Sequence, residues 1–180
     1  RKAKGIDITE KWIDIYKEVS ELEGLEVQET YCGDSFKVLN KIENESVDFI
    51  LTDVPYWNMD SLKHTRNEKR VAQSKLNSFE NNTWTSKKEW LNTMKKIIAK
   101  ASLKLKHGKY LAVFIGDMYR DSEYHCLSGE LALKLSEIDG LKMKANLIWE
   151  DNSKSLHIFG YPAAFVPCMI HQNILIFRRD

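Results

Sequence analysis

Cysteine is scarce in this chain, with three among 180 residues, and Cys32, Cys126 and Cys168 lie far apart without a Cys-x-x-Cys pair. An odd, scattered set excludes a disulfide framework and predicts buried structural thiols in a reducing compartment. Histidine supplies no metal knuckle either: His125, His157 and His171 lack ligand spacing, so no metal is expected. No apolar window is long enough to span a bilayer, and the N-terminus has no signal-peptide pattern. The expectation is a soluble, cytoplasmic chain with no membrane partner. Repeats, low-complexity stretches and linkers are absent as well. With 43% hydrophobic residues in 21.0 kDa, residues 1–180 fit one domain with a sizeable core.

What is present is strongly segregated. The formal net charge is only +1. Yet Ser61 to Lys106 holds twelve Lys or Arg against Glu68, Glu80 and Glu89, a local net of +9, which leaves −8 for the rest. A basic stretch of this kind suits a surface that tracks phosphates, since affinity for nucleic acid comes largely from neutralising backbone charge. For Lys87–Lys106 alone a solvated helix face is the better explanation of the charge. Lys63, Arg66, Lys69, Arg70 and Lys75 fall instead in a polar stretch without periodicity, and there the pattern points to binding.

Strand and helix signals alternate along the chain. A short strand over 3–7 ends on Asp7, and Thr9 can cap a helix to about Glu23 with Trp12, Ile13, Tyr16, Val19 and Leu22 on one stripe. A second strand covers 26–32, Asp34 or Ser35 opens a short helix, and a third strand covers 47–52. Residues 58–85 read as a long loop, functional or mobile. Ser86 and Glu89 form a capping box for a helix to about Lys106, ended by His107-Gly108. A strand over 110–115, a helix over 124–138 and strands over 143–149 and 173–177 complete the chain. This alternation predicts an α/β fold with a parallel sheet and crossover helices.

The run Phe49-Ile50-Leu51-Thr52-Asp53-Val54-Pro55-Tyr56-Trp57 carries the most chemistry. A continuous apolar run reads as a buried parallel strand, and open α/β sheets bind ligands at the carboxyl ends of their strands. Asp53 to Trp57 should therefore line a site. An acid accepts hydrogen bonds, proline fixes the turn and leaves carbonyls free, and tyrosine offers a flat stacking face. The set suits a planar ring bearing an amino group. Asp7, Asp34 and Asp53 each end one of three successive strands, so one crevice should collect all three carboxylates.

These residues resemble the Asp-Pro-Pro-Tyr motif of the amino-methylating DNA methyltransferases, with Val54 in place of the first proline. Gly5-Ile6-Asp7-Ile8 and Gly33-Asp34 are similar to that family's second and third motifs, and Leu105-Lys106-His107-Gly108-Lys109 to its Leu-Lys-Pro-Gly-Gly run. Phe159-Gly160-Tyr161-Pro162 through Phe177 is similar to its C-terminal hairpin. The resemblance implies a Rossmann-like S-adenosylmethionine-dependent methyltransferase fold with a mostly parallel sheet and a C-terminal antiparallel hairpin. The family's glycine-rich loop after its first strand has no counterpart here. The expectation is that this strand is missing from the chain, and that a preceding segment, a second polypeptide or self-association completes the sheet.

By the same resemblance, the target base is flipped out of the duplex and stacked on Tyr56. Asp53 and a carbonyl around Val54–Pro55 accept from its exocyclic amine. Asp53, Pro55 and Tyr56 are then the catalytic residues, and Asp7, Ile8, Asp34 and Asp53 hold S-adenosylmethionine. Trp57, Lys63, Arg66, Lys69, Arg70, Lys75 and Tyr161 meet DNA, although Trp57 reads equally as a wedge in the core. Adenine N6 is favoured over cytosine N4, because Asp rather than Ser leads the motif. An RNA guanine-N2 methyltransferase and a non-catalytic nucleic-acid-binding subunit share enough of the motif to stand as alternatives. Replacing Lys69 and Arg70 by Ala is predicted to weaken binding to DNA of any sequence and to lower the slope of log affinity against log salt by about 0.9 per lost phosphate contact. A slope equal to the parent's would place these cations in solvent.

Overall fold

A computed structural model of the chain describes residues 2–57, 84–120, 122–152 and 169–180. They divide into two compact units, one holding residues 2–43 and the other residues 44–57 and those from 84 onward.

In the first unit, β1 (Lys4–Asp7) and β2 (Glu29–Cys32) pair in parallel with Asp7 opposite Cys32, and α1 (Glu10–Leu22) is the crossover. Thr9 occupies the N-cap of α1 without a side-chain bond. The carboxylate of Asp7 reaches forward instead and accepts from the Thr9 amide at 2.7 Å. The Tyr16 hydroxyl accepts from the Gln28 amide at 2.8 Å and ties α1 to the approach of β2. Only Ile13 of the predicted stripe is buried, while Trp12, Val19 and Leu22 are exposed. A helix of 13 residues runs about 20 Å, and a strand of four only about 13 Å, so α1 outreaches the sheet it crosses. The short helix α2 (Ser35–Val38) follows, capped by Asp34, with a 3-10 turn over Leu39–Lys41.

The second unit is built on a mixed four-stranded sheet in the order β3-β4-β8-β7. Strand β3 (Val47–Asp53) runs parallel to β4 (Leu105–Ile115), and β8 (His171–Arg179) runs antiparallel to both β4 and β7 (Leu141–Glu150). The antiparallel ladders of this sheet outnumber its parallel one, and residues 159–168 of the expected C-terminal hairpin lie outside the described residues. Leu111, Val113 and Ile115 of β4 and Leu175 and Phe177 of β8 alternate onto one face, each fully buried. Against them pack Trp90, Met94 and Ile98 of α3 (Lys87–Ser102) and Leu127, Leu131 and Leu135 of α4 (Leu127–Ser136). This is the period of two meeting the period of 3.6.

Several boundaries differ from the sequence reading. Helix α3 stops at Ser102, short of the expected Lys106, and Leu105 is the first residue of β4, paired with Val47 and fully buried. His107-Gly108 lies inside that strand. Five residues of β4 there span two of β3, and Gly108 takes a φ of +74 that the irregularity needs. The helix expected from 124 begins at Leu127, because Met118–Arg120 and Glu123–His125 form a small antiparallel hairpin, β5 and β6. Strand β3 is not buried on both sides: Phe49 and Leu51 are 54% and 61% exposed. It is an edge strand, hydrogen-bonded only to β4 among the described residues. The thiols are also not buried, since Cys32 and Cys126 are exposed. Each sits at the end of an element, Cys32 closing β2 and Cys126 preceding α4; Cys168 lies outside the described residues.

The capping box at α3 is half realised. The Ser86 hydroxyl accepts from the Glu89 amide at 3.2 Å, but the Glu89 carboxylate turns to the amide and hydroxyl of Thr85, at 2.8 and 2.7 Å. Arg179 closes the far end of the sheet by donating to the Leu103 and Leu105 carbonyls and pairing with Glu45 at 2.8 Å. Among the described residues no helix is long and apolar enough to cross a membrane. Leu131→Ala is predicted to cost about 2–5 kcal/mol in urea unfolding. The same change at Leu133, 76% exposed on the same helix, should cost under about 0.5 kcal/mol. Equal losses would contradict this core.

Candidate active site

The site begins where β3 ends. Asp53 pairs in register with Phe114 of β4, and the Val54 amide still donates to the Phe114 carbonyl at 3.4 Å. Val54 is 5% exposed and belongs to the core. An apolar β-branched residue in place of proline therefore anchors the turn by burial. The next carbonyl, that of Pro55, accepts from the indole Nε1 of Trp90 at 2.8 Å. Trp90 has no exposed surface, so its N–H must find a partner inside the protein. A chain reversal and a buried donor satisfy each other here, and they fix where the following side chain starts.

Tyr56 leaves that turn half-buried and packed against the core. Its hydroxyl accepts from Gln172 Nε2 of β8 at 2.9 Å. Gly116 lies beneath it, and a Cβ there would stand 3.1 Å from the hydroxyl oxygen. Burial, followed by the charge of Asp53, pushes the phenol up to about 12, against an opposing hydrogen bond from the Gly116 backbone. Tyr56 is neutral at any physiological pH. Asp53 also rises above its usual value, because partial desolvation penalises the carboxylate even though the residue is open to solvent on one side. Its oxygens have no hydrogen-bond donor among the described residues, and neither has the Val54 carbonyl.

Nearby, Asp117 and Tyr124 are already engaged. Asp117, just past β4, accepts from the Ser128 amide at 2.8 Å and from the Tyr124 hydroxyl at 2.6 Å, and burial followed by that carboxylate raises the Tyr124 phenol. The Trp57 ring meets His125 edge-on at 5.4 Å between centroids, under the Lys87 ammonium at 5.9 Å. Trp57 packs against the core, which realises the wedge half of its two readings.

The structure thus brings Asp53, Pro55, Tyr56 and Trp57 together in the second unit. Asp7, Ile8 and Asp34 lie in the first. There Asp7 is partly buried at the end of β1, Ile8 is 55% exposed, and Asp34 accepts from the Phe36 amide at 2.7 Å. Lys63, Arg66, Lys69, Arg70, Lys75 and Tyr161 lie outside the described residues. Three participants escaped the sequence reading: Trp90, Gly116 and Gln172. For Trp90 the signal was available, since an inward-facing tryptophan requires an acceptor. Gly116-Asp117 directly after a strand was a second signal. Among the described residues no group of His, Cys, Asp or Glu could hold a metal ion.

Comparison with known proteins decides the family. The family model for DNA methylase matches residues 47–180, from the first residue of β3 to the end. The chain belongs to the DNA methylase family. Among solved structures, the fold resembles the cytosine-N4-specific PvuII DNA methyltransferase, with a TM-score of 0.59 and 15% identity over 83% of this chain and 48% of that one. TTHA0409 of Thermus thermophilus, assigned as a DNA modification methylase and complexed with S-adenosyl-L-methionine, gives 0.53 and 17% over 81% and 51%. The [4+2]-cyclase SpnF gives 0.58 and 13% over 99% and 66%. At these identities the likenesses show the α/β methyltransferase fold alone. The chain spans about half the length of the two methylase structures. No curated protein matches it in sequence. Carboxyl 13C NMR is predicted to show one aspartate, absent in Asp53→Asn, titrating above the ordinary value of about 3.9; titration at or below it would contradict the desolvation of Asp53.

Proposed function

We propose that this chain is the catalytic part of an S-adenosylmethionine-dependent DNA methyltransferase acting on the exocyclic amine of a flipped base, adenine N6 in preference to cytosine N4. One observation carries the reading: at the end of β3, a carboxylate (Asp53) and a carbonyl (Val54) that have no donor among the described residues stand next to a neutral aromatic ring held by its hydroxyl. The family match supports it, because it begins on the same strand.

The chemistry follows from hydrogen-bond bookkeeping. An amino group has two N–H bonds, and two acceptors at the turn can take both. Since Trp90 already occupies the Pro55 carbonyl, the Asp53 carboxylate and the Val54 carbonyl are the acceptors assigned here. Accepting from both hydrogens draws electron density toward nitrogen and orients its lone pair away from the turn. Positioning and electrostatics of this kind need no nucleophilic side chain. Tyr56 supplies the stacking face that holds the ring flat.

S-adenosylmethionine, when bound, supplies an electrophilic methyl on a sulfonium. Asp7, Ile8 and Asp34 fit the rest of such a molecule. Asp7 uses one oxygen for the Thr9 amide and Asp34 one for the Phe36 amide, so each keeps a second oxygen for a hydroxyl or amine. Ile8 presents an apolar surface for a purine. DNA is assigned to Lys63, Arg66, Lys69, Arg70, Lys75 and Tyr161. A second polypeptide or a second copy pairing on the edge of β3 that is open among the described residues is part of the same reading.

Two substitutions test it in the whole protein that carries this chain. Asp53→Ala is expected to abolish methyl transfer while leaving cofactor affinity near the parent's, as a lost directing acceptor acts on the transition state. Asp7→Ala is expected to weaken cofactor binding by about 1.5–3 kcal/mol in calorimetry, the worth of a hydrogen bond to a charged group. Near-normal turnover in the first, or unchanged affinity in the second, would reject the respective assignment.

A further inference from the structure

We infer that Gln172 is a positioning residue for methyl transfer, holding the ring of Tyr56 at its stacking angle through the hydroxyl. The inference rests on the base-stacking reading of Tyr56 and deepens it. A ring that serves only as a flat surface has no use for an oxygen, and phenylalanine would do. Here the oxygen has a built seat. Gln172 Nε2 donates to it at 2.9 Å, and the space below is kept open by Gly116, where a Cβ would lie 3.1 Å from the oxygen and 3.4 Å from the ring carbon that bears it.

The sheet register produces this seat. Strands β4 and β8 pair Ile115 with Asn173, so the next step along the antiparallel ladder sets Gly116 against Gln172. A side chain on β8 and a bare backbone at the end of β4 thereby reach the same oxygen from neighbouring strands. The other end of Tyr56 is fixed by the turn, whose Pro55 carbonyl is bound to Trp90. Asn173 is 5% exposed and receives the Asn146 amide at 3.0 Å, which holds β8 in place one residue from Gln172. The ring is therefore restrained at both ends before any base arrives. Small misplacements at a reacting centre cost up to about 100-fold in rate, so loosening one end should be visible in turnover.

The test is a double-mutant cycle in the whole protein, with Tyr56→Phe, Gln172→Leu and the pair together. Each single change is expected to lower kcat about tenfold, with the KM for S-adenosylmethionine unchanged. The double variant should be no worse than Tyr56→Phe alone, because that change already removes the bond that Gln172→Leu removes. With 2-aminopurine at the target position, both variants should also change the emission of the flipped base in the same direction. Independent, multiplying losses would overturn the inference, as would parental kcat in Gln172→Leu. If Gln172→Leu fails to fold, Tyr56→Phe decides alone, and parental kcat there overturns it. Tyr56→Ala is measured alongside: full activity in that variant would remove the stacking reading itself, whereas inactivity beside parental Tyr56→Phe and Gln172→Leu would remove only the role of Gln172.

Discussion

The bond from the Trp90 indole to the Pro55 carbonyl joins the core to the site, and much of the second unit is arranged around it. Trp90 is fully buried among residues of β4 and α4, so its N–H carries the cost of an unpaired polar group unless the turn after β3 comes to it. The turn in turn has a carbonyl that no ladder can satisfy, because β3 has ended. Each need is met by the other. Helix α3 must therefore lie where it can reach the end of β3, and Val54 must enter the core beside it. What the site gains is a fixed origin for Asp53 on one side of the turn and Tyr56 on the other.

Division of labour among the backbone acceptors follows from the same bond. A turn of this kind offers two carbonyls, and with Pro55 engaged that of Val54 is the one without a donor among the described residues. The departure from proline at position 54 then has a physical sense. A proline and a valine both lack a donor-rich side chain, and valine secures the turn by burial, at 5% exposure, where a proline secures it by ring closure. Beside Val54 stands Asp53, whose carboxyl is raised above its ordinary value by partial desolvation and has no donor among the described residues.

Much of this was legible in the residues. The apolar run before Asp53 marked a strand that ends there, the alternation of units pointed to an α/β fold, and of the inward positions expected along α3, Trp90, Met94, Ile98 and Ala101 are buried while Ile97 is partly so. The failures have common physical causes. Leu105 and His107-Gly108 look like the end of a helix because leucine and lysine favour helices, but the ladder to Val47 captures them into β4. The exposure of Phe49, Leu51, Val19 and Leu22 could not be read from periodicity, which reports an apolar face and not what covers it. Gln172 was unreadable for another reason: its role depends on the register of β8 against β4, a contact 116 residues away in sequence.

The fold by itself does not choose a reaction, since a [4+2]-cyclase shares it at a TM-score of 0.58. We place the choice in the turn after β3, with transfer of a methyl group to an exocyclic nitrogen as the proposed reaction. The most direct measurement is to incubate the whole protein with S-adenosylmethionine labelled in the methyl group and unmethylated DNA, digest the DNA to nucleosides, and identify the labelled one. The account predicts label in N6-methyldeoxyadenosine. Label on a ring carbon, or none in any nucleoside while the cofactor is bound, would contradict it.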